Sequence, residues 1–223
     1  MLTASPAAAC RLALVLAMDV SSSVDAAEDV LQRRGLAAAL VDPQVTAAFF
    51  ASDDPVALYV FEWSGRYNQT PLADWTLILS PADLSRLSAQ IAGSRRSYNE
   101  FPTAMGYALG HAAGVLRDAP ACLFQTIDMA GDGINNEGFG PAEAYAAFPF
   151  ADVTVNGLVV NAADFEGEVG LISFYSTEVI RGPGAFIEIA TSFDDYADAM
   201  RRKLIRELGV QMLGGVPAAP PGG

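Results

Sequence analysis

The chain is poor in the side chains that most catalysts and nucleic-acid binders depend on. It holds one histidine, His111, in 223 residues. Within Ala108-Leu109-Gly110-His111-Ala112-Ala113 that residue reads as a structural or surface position in mid-helix. Basic residues number 13 against 26 acidic ones, a formal charge of −13. A field of that sign repels phosphate backbones, and no basic run is interleaved with aromatics, so nucleic acid is not an expected partner. No apolar stretch approaches the roughly 20 residues that a membrane-spanning helix needs. There is no Gly-x-Ser-x-Gly elbow and no phosphate-binding glycine loop, so hydrolase and nucleotide-binding readings lack their core parts. No internal repeat is present. What the chain does have is apolar material, 52% against 17% charged. That suffices for a sizeable core in one domain, or one domain and a tail.

Residues 19–23 read Asp-Val-Ser-Ser-Ser, directly after the apolar run Leu12–Met18. Such a run is what a strand buried on both faces looks like, and it places a carboxylate and two hydroxyls at the strand's carboxyl end. In open parallel α/β sheets that end is where ligands bind. Oxygen donors at alternate positions suit a hard divalent cation, whereas a soft metal would want thiolates or imidazoles. The string alone has a plainer reading: Ser22 or Ser23 caps a helix whose apolar positions are Val24, Ala27, Leu31, Ala38 and Val41.

Two later segments add donors of the same kind. Asn99-Glu100-Phe101-Pro102-Thr103 is a polar loop leading into a helix with Met105, Ala108, Ala112 and Leu116 on one stripe. Ile127-Asp128-Met129-Ala130-Gly131-Asp132-Gly133 places Asp132 at the end of a second apolar run, Ala121–Ala130. This arrangement resembles the metal-ion-dependent adhesion site of von Willebrand factor type A (vWA) domains. Asp19, Ser21, Ser23, Thr103 and Asp132 match the family's ligand pattern residue by residue. Gly131 departs from it, standing where the family usually has Ser or Thr, a position that is not a principal ligand. The resemblance covers roughly residues 11–209. The Arg-x-Ala-Leu-Val-Leu-Ala-x-Asp-Val-Ser-Ser-Ser opening and the Gly-Asp-Gly-x-Asn-Asn turn also look like a bacterial branch of exported single-domain proteins of unknown function.

The rest of the chain alternates strand-like and helix-like segments, as a mostly parallel sheet requires. A helix from Val24 to about Val41 precedes strand Pro55–Trp63. The turn Ser64–Thr70 is too short for a crossover helix, so strand Trp75–Leu79 should run antiparallel beside its predecessor. Ser80-Pro81-Ala82-Asp83 is a helix start with Leu84, Leu87 and Ile91 as its buried stripe. Cys122–Ala130, a helix opening at Pro141, and strands Val153–Val160 and Ala185–Ala190 follow. The last helix starts at Ser192, with Phe193, Ala197, Met200, Leu204 and Leu208 inward. Its acids Asp194, Asp195 and Asp198 come early, and its bases Arg201, Arg202, Lys203 and Arg206 come in the last turns. The expected fold is a doubly wound, mostly parallel α/β sheet with one short antiparallel edge strand and helices on both faces. Residues 1–10 form an N-terminal segment, 11–209 the vWA-like domain, and 210–223 a Gly/Pro-rich disordered tail.

Cys10 and Cys122 precede Asp19 and Asp132 by nine and ten residues. The resemblance implies that their strands are sheet neighbours, within reach of a disulfide; two free thiols are the alternative. A bridge needs an oxidising compartment. Ala4-Ser5-Pro6-Ala7-Ala8-Ala9 looks like the small-residue end of a secretory signal, without a basic n-region or apolar h-region before it. The expectation is a periplasmic or secreted protein, with a cytoplasmic, free-thiol form as the alternative.

The function that the resemblance implies is divalent-metal-dependent binding of a protein or ligand. Mg²⁺ is the expected ion, with Mn²⁺ or Ca²⁺ able to replace it, and a carboxylate of the partner completes the shell. By chain position Arg95, Arg96, Tyr98, Asn99, Asn135, Asn136 and Glu137 should rim the metal face, the arginines favouring an anionic group. The second reading is a structural or assembly module whose oxygen cluster is vestigial. Enzyme activity is not expected. Asp19 at a strand end suggests phosphotransfer, but the acid that the haloacid dehalogenase pattern places two residues later is Ser21 here, and no base or nucleophile accompanies the cluster.

Overall fold

A computed structural model describes residues 10–161 and 165–213. Its centre is β1 (Cys10–Asp19), buried at every position. Leu12, Leu14, Leu16 and Met18 enter one core, and Ala13, Val15 and Ala17 the other. That is the period-2 alternation of a strand covered on both faces. Parallel neighbours flank it, β2 (Val56–Trp63) on one side and β4 (Cys122–Gly131) on the other. β3 (Gln69–Ile78) closes one edge antiparallel to β2, as the short turn demands, while β5 (Val153–Val160) and β6 (Ile187–Ala190) extend the other edge in parallel. The order β3-β2-β1-β4-β5-β6 reverses direction between β1 and β4. In doubly wound sheets the ligand crevice opens at such a reversal, at the carboxyl ends of the strands.

Helices α1 (Ala26–Leu40), α2 (Pro43–Phe49), α3 (Pro81–Gly93) and α7 (Tyr196–Leu213) cover the leucine-rich face, contributing Leu36, Leu40, Phe49, Leu84, Leu87 and Leu204. The opposite face carries α4 (Met105–Leu116), α5 (Pro141–Ala147), α6 (Phe165–Phe174) and a π-helical turn, Tyr175–Val179. β1 offers only Ala13, Val15 and Ala17 there, and α4 packs Ala108, Leu109 and Ala112 into the same core, the alanines on both elements letting helix and sheet approach closely. Truncating any large core residue of this kind to Ala costs about 2–5 kcal/mol.

β1, β2, β4 and β5, the Leu84–Leu87–Ile91 stripe and the Met105–Leu116 stripe match the sequence expectation. The antiparallel edge strand β3, by contrast, starts at Gln69 instead of Trp75 and is not short, and β6 starts at Ile187 instead of Ala185. At the start of α3 the Asp83 carboxylate accepts the Ser80 N–H at 2.7 Å. α1 differs from it. Its N-cap is Asp25, not Ser22 or Ser23: the Asp25 carboxylate accepts from the Ala27 and Glu28 N–H groups at 2.7 and 2.9 Å. The expected inward stripe holds only at Val24; Ala27, Leu31, Ala38 and Val41 are exposed. The first turns of α1 instead bury Asp29, Gln32 and Arg33. Arg33 bonds both Asp29 oxygens at 2.9 Å and reaches Glu62 on β2, so these polar groups are satisfied in the interior. A 3₁₀ turn, Phe193–Asp195, precedes α7, which therefore starts later than Ser192. α7 runs on to Leu213, so Arg201–Arg206 lie in its middle, not at its end. Cys10 belongs to β1 and residues 210–213 to α7, so the folded part exceeds the expected 11–209 at both ends; residues 1–9 and the rest of the expected tail, 214–223, fall outside the described residues.

Cys10 and Cys122 are register partners on β1 and β4 and are joined by a disulfide, with Cα atoms 4.2 Å apart. Among the described residues no helix is long and apolar enough to cross a membrane.

Candidate metal centre

Asp19 ends β1 with its side chain buried beneath the following turn. One carboxylate oxygen, Oδ1, accepts the Ser21 N–H at 2.7 Å; the other, Oδ2, is buried with no partner. From there hydroxyls run in a connected line. Thr103 Oγ1 donates to Ser21 Oγ at 3.1 Å, Ser21 Oγ and Ser23 Oγ lie 3.1 Å apart, and Ser23 Oγ donates to Asp132 Oδ1 at 2.7 Å. All five oxygen-bearing residues singled out in the sequence thus meet at the carboxyl ends of β1 and β4.

Three scaffolding contacts hold the turn after β1. Gln32 of α1 donates to the Asp19 carbonyl at 2.8 Å. Arg96 spreads its guanidinium over three carbonyls, Val20 (2.6 Å), Ser21 (2.7 Å) and Val24 (2.7 Å). The Ser22 N–H reaches the Phe101 carbonyl at 2.8 Å, tying the turn to the loop that carries Thr103. Thr103 is in turn clasped by Asn136: its N–H donates to Asn136 Oδ1 at 2.9 Å and its carbonyl accepts the Asn136 N–H at 2.9 Å. Asn135 Oδ1 takes the Gly106 N–H at 3.4 Å, and Glu137 pairs with Arg66 on the β2–β3 turn at 3.3 Å. Arg96, Asn135 and Asn136 therefore brace loops, while Arg95, Tyr98 and Asn99 stand exposed.

Electrostatically the cluster wants a cation. Burial, and then the charge of Asp132, push the Asp19 carboxyl up to about 8; burial likewise raises Asp132. Among the described residues no three His, Cys, Asp or Glu side chains group tightly enough to hold an ion alone, so any cation here must use the hydroxyls. Two carboxylates, one of them with its buried Oδ2 unpartnered, and three hydroxyls are a donor set that fits a hard divalent ion. His111 takes no part. It packs against Phe61 in a tilted arrangement with ring centroids 4.8 Å apart, and burial lowers its pKa.

Tyr175, first residue of the π-helical turn, escaped the sequence reading. Its ring is fully buried and its hydroxyl has no partner. A Cβ placed on Gly131 would lie 2.8 Å from the Tyr175 hydroxyl and 2.8 Å from Asp19 Oδ2, while one on Gly157 would lie 2.6 Å from the tyrosine ring. Two glycines on adjacent strands thus open a slot that brings a phenol beside Asp19. The departure at Gly131 was the one visible trace of it. Burial, with Asp19 and Asp132 nearby, holds the phenol well above its ordinary pKa, so it remains a donor.

No curated protein matches the chain by sequence. Among solved structures, proximal thread matrix protein 1 from the mussel byssus, with a zinc-occupied MIDAS motif, superposes with a TM-score of 0.61 at 17% identity over 90% of this chain and 48% of its own. A von Willebrand factor type A protein from Catenulispora acidiphila gives 0.57 at 16%, over 90% and 43%. The pilus adhesin SpaC from Lactobacillus rhamnosus GG gives 0.62 at 14%, over 91% and 31%. The chain thus spans less than half the length of each of these three, and at such identities the likeness shows the vWA fold alone. A family model described as "Protein of unknown function (DUF1194)" matches residues 9–212. Matched over nearly all of its length, and folded as a vWA-like domain, the chain belongs to the DUF1194 family.

Proposed function

We propose that the protein is a binding module whose grip on its partner depends on a divalent cation, Mg²⁺ by its donor chemistry. Asp19, Ser21, Ser23, Thr103 and Asp132 would hold the ion. The observation that carries this reading is the unbroken hydroxyl line from Thr103 to Asp132 beside a buried carboxylate oxygen without a partner. The zinc-occupied motif of the byssus protein supports it by analogy of fold. Bound there, the ion would supply an open coordination position for one external hard oxygen, which a partner carboxylate suits. The reading is of a binder rather than a catalyst, exported because its disulfide persists in an oxidising compartment.

Calorimetric titration with Mg²⁺ should show weak, reversible binding that Asp19→Ala abolishes. Equal binding by the variant would sink the assignment. Partner capture should fail in EDTA, return with Mg²⁺, and weaken in Thr103→Ala without unfolding, since the side-chain hydrogen bond lost, from Thr103 Oγ1 to Ser21 Oγ, contributes only about 0.5–1.5 kcal/mol.

A second expectation concerns Tyr175 as a positioning residue for Asp19. Tyr175→Phe keeps the ring in its slot and removes the hydroxyl. The hydroxyl and Asp19 Oδ2 are both buried without a partner beside Gly131, so an ion that draws them together would make the phenol an outer partner, whose loss typically weakens a metal by about 10–100-fold. The expected result is a drop of that order in Mg²⁺ affinity with an unchanged melting temperature in EDTA. A purely packing role for Tyr175 predicts no change in affinity.

A further inference from the structure

Thirteen basic residues serve a chain of net charge −13, and four of them converge on one pocket. It lies between α1 and the segment leaving α3, has a volume of about 220 Å³, and is lined by Asp29, Arg33, Arg34, Ser94, Arg95 and Arg96 among others. Two of these arginines have structural duties. Arg33 holds Asp29, Glu62 and Ser94, and Arg96 holds the carbonyls of the turn after β1. The other two are unspent: among the described residues neither Arg34 nor Arg95 forms an ion pair, and both are exposed. Asp29 and Glu62 both pair with Arg33, and Asp19 and Asp132 feel the charge of Arg96, so Arg34 and Arg95 are the two positive charges at the pocket without an acid partner. Arg96 adds an unmet demand, because its Nε is buried with no acceptor. The last turn of α3 brings partial negative charge to the same place. Ser94 answers it at the Ile91 carbonyl, by N–H at 3.1 Å and Oγ at 2.7 Å.

We propose that this pocket binds a phosphate dianion, free or as the head of a small phosphomonoester. The unbalanced charge matches a dianion. Guanidinium groups on α1 and on the segment after α3 can meet a tetrahedral oxyanion from two sides, each as a bidentate donor. The site is separate from the metal cluster, yet joined to it through Arg96, whose other nitrogens hold the turn carrying Ser21. Its ligand would therefore fix the guanidinium that fixes that turn.

The test uses the whole chain in EDTA at about pH 8, where phosphate is dianionic, so that failure of the metal reading leaves it untouched. Inorganic phosphate, glycerol phosphate and chloride at matched ionic strength are compared by calorimetry and thermal shift. Saturable phosphate binding that chloride does not reproduce is expected, weakened at least about tenfold in an Arg34→Ala/Arg95→Ala variant. Both side chains are exposed, so the variant should melt as the parent does when phosphate is absent. Tighter binding of glycerol phosphate than of inorganic phosphate would identify a phosphomonoester as the ligand, and the reverse order the free ion. No saturable binding, the same effect from chloride, or undiminished binding by the variant overturns the proposal.

Discussion

Lys203→Met is expected to destabilise the domain by about 3–5 kcal/mol, as removal of one partner from a buried ion cluster does. Lys203 is fully buried in α7 with its ammonium 2.8 Å from Asp128 Oδ1 and 2.6 Å from Glu207 Oε1. Asn156 on β5 completes the cluster, donating to Glu207 at 2.8 Å and accepting the Phe186 N–H at 3.1 Å. The loss comes less from the attraction forfeited than from two carboxylates left in the interior without a counter-charge. Replacing Asp128 and Glu207 by leucine together with Lys203→Met should therefore recover most of it. Urea melts of the single and triple variants make the comparison, and a single variant as stable as the parent would refute it. The cluster also sets a pH dependence. Burial pushes the Asp128 carboxyl up to about 7, against the pull of Lys203. A raised carboxyl makes the native state hold a proton that the unfolded chain releases. This contribution is thus present in full below the ordinary value of 3.8 and is lost as pH rises towards 7. Asp128→Asn should flatten stability across that window.

Breaking the disulfide should have an effect of similar size. Cys10 and Cys122 are 112 residues apart in sequence, and closing a loop of that length restricts the unfolded chain by about 4–5 kcal/mol, an upper figure. The Cys10→Ala/Cys122→Ala protein should melt well below the oxidised parent, and the parent with reductant should follow it. Alkylation of the denatured parent should find no free thiol, and two labelled cysteines would refute the bridge.

What could be read from the sequence had local causes. β1, β2 and β5 are buried on both faces and so appear as apolar runs, and α3 announces itself by Ser80, Pro81 and Asp83. The five oxygen donors were legible as a set because each stands at a strand or loop end. The apolar period of α1 misleads because Asp29, Gln32 and Arg33 are buried by bonding one another, the Asp19 carbonyl and Glu62, which no hydrophobic period reports. α2 passed unnoticed although Asp42 before Pro43 is a helix start; seven residues are too few to show a stripe. Chain position alone turns Arg96 toward a ligand, whereas its guanidinium is engaged with carbonyls some seventy residues upstream. Tyr175 depends on two glycines on two other strands, and only their assembly reveals the slot.

The covalent tie between β1 and β4 also decides how the domain would bear tension. A pull on the two ends of the chain passes from Cys10 straight to Cys122, so the backbone between them carries no load while the bond holds. That shielded stretch would otherwise release about 370–400 Å of contour. Asp19, Ser21, Ser23 and Thr103 all lie inside it, and Asp132 lies ten residues outside. Under force the cluster would open from the Asp132 side alone, with four of its five oxygen-bearing residues kept together on a loop that cannot be drawn out.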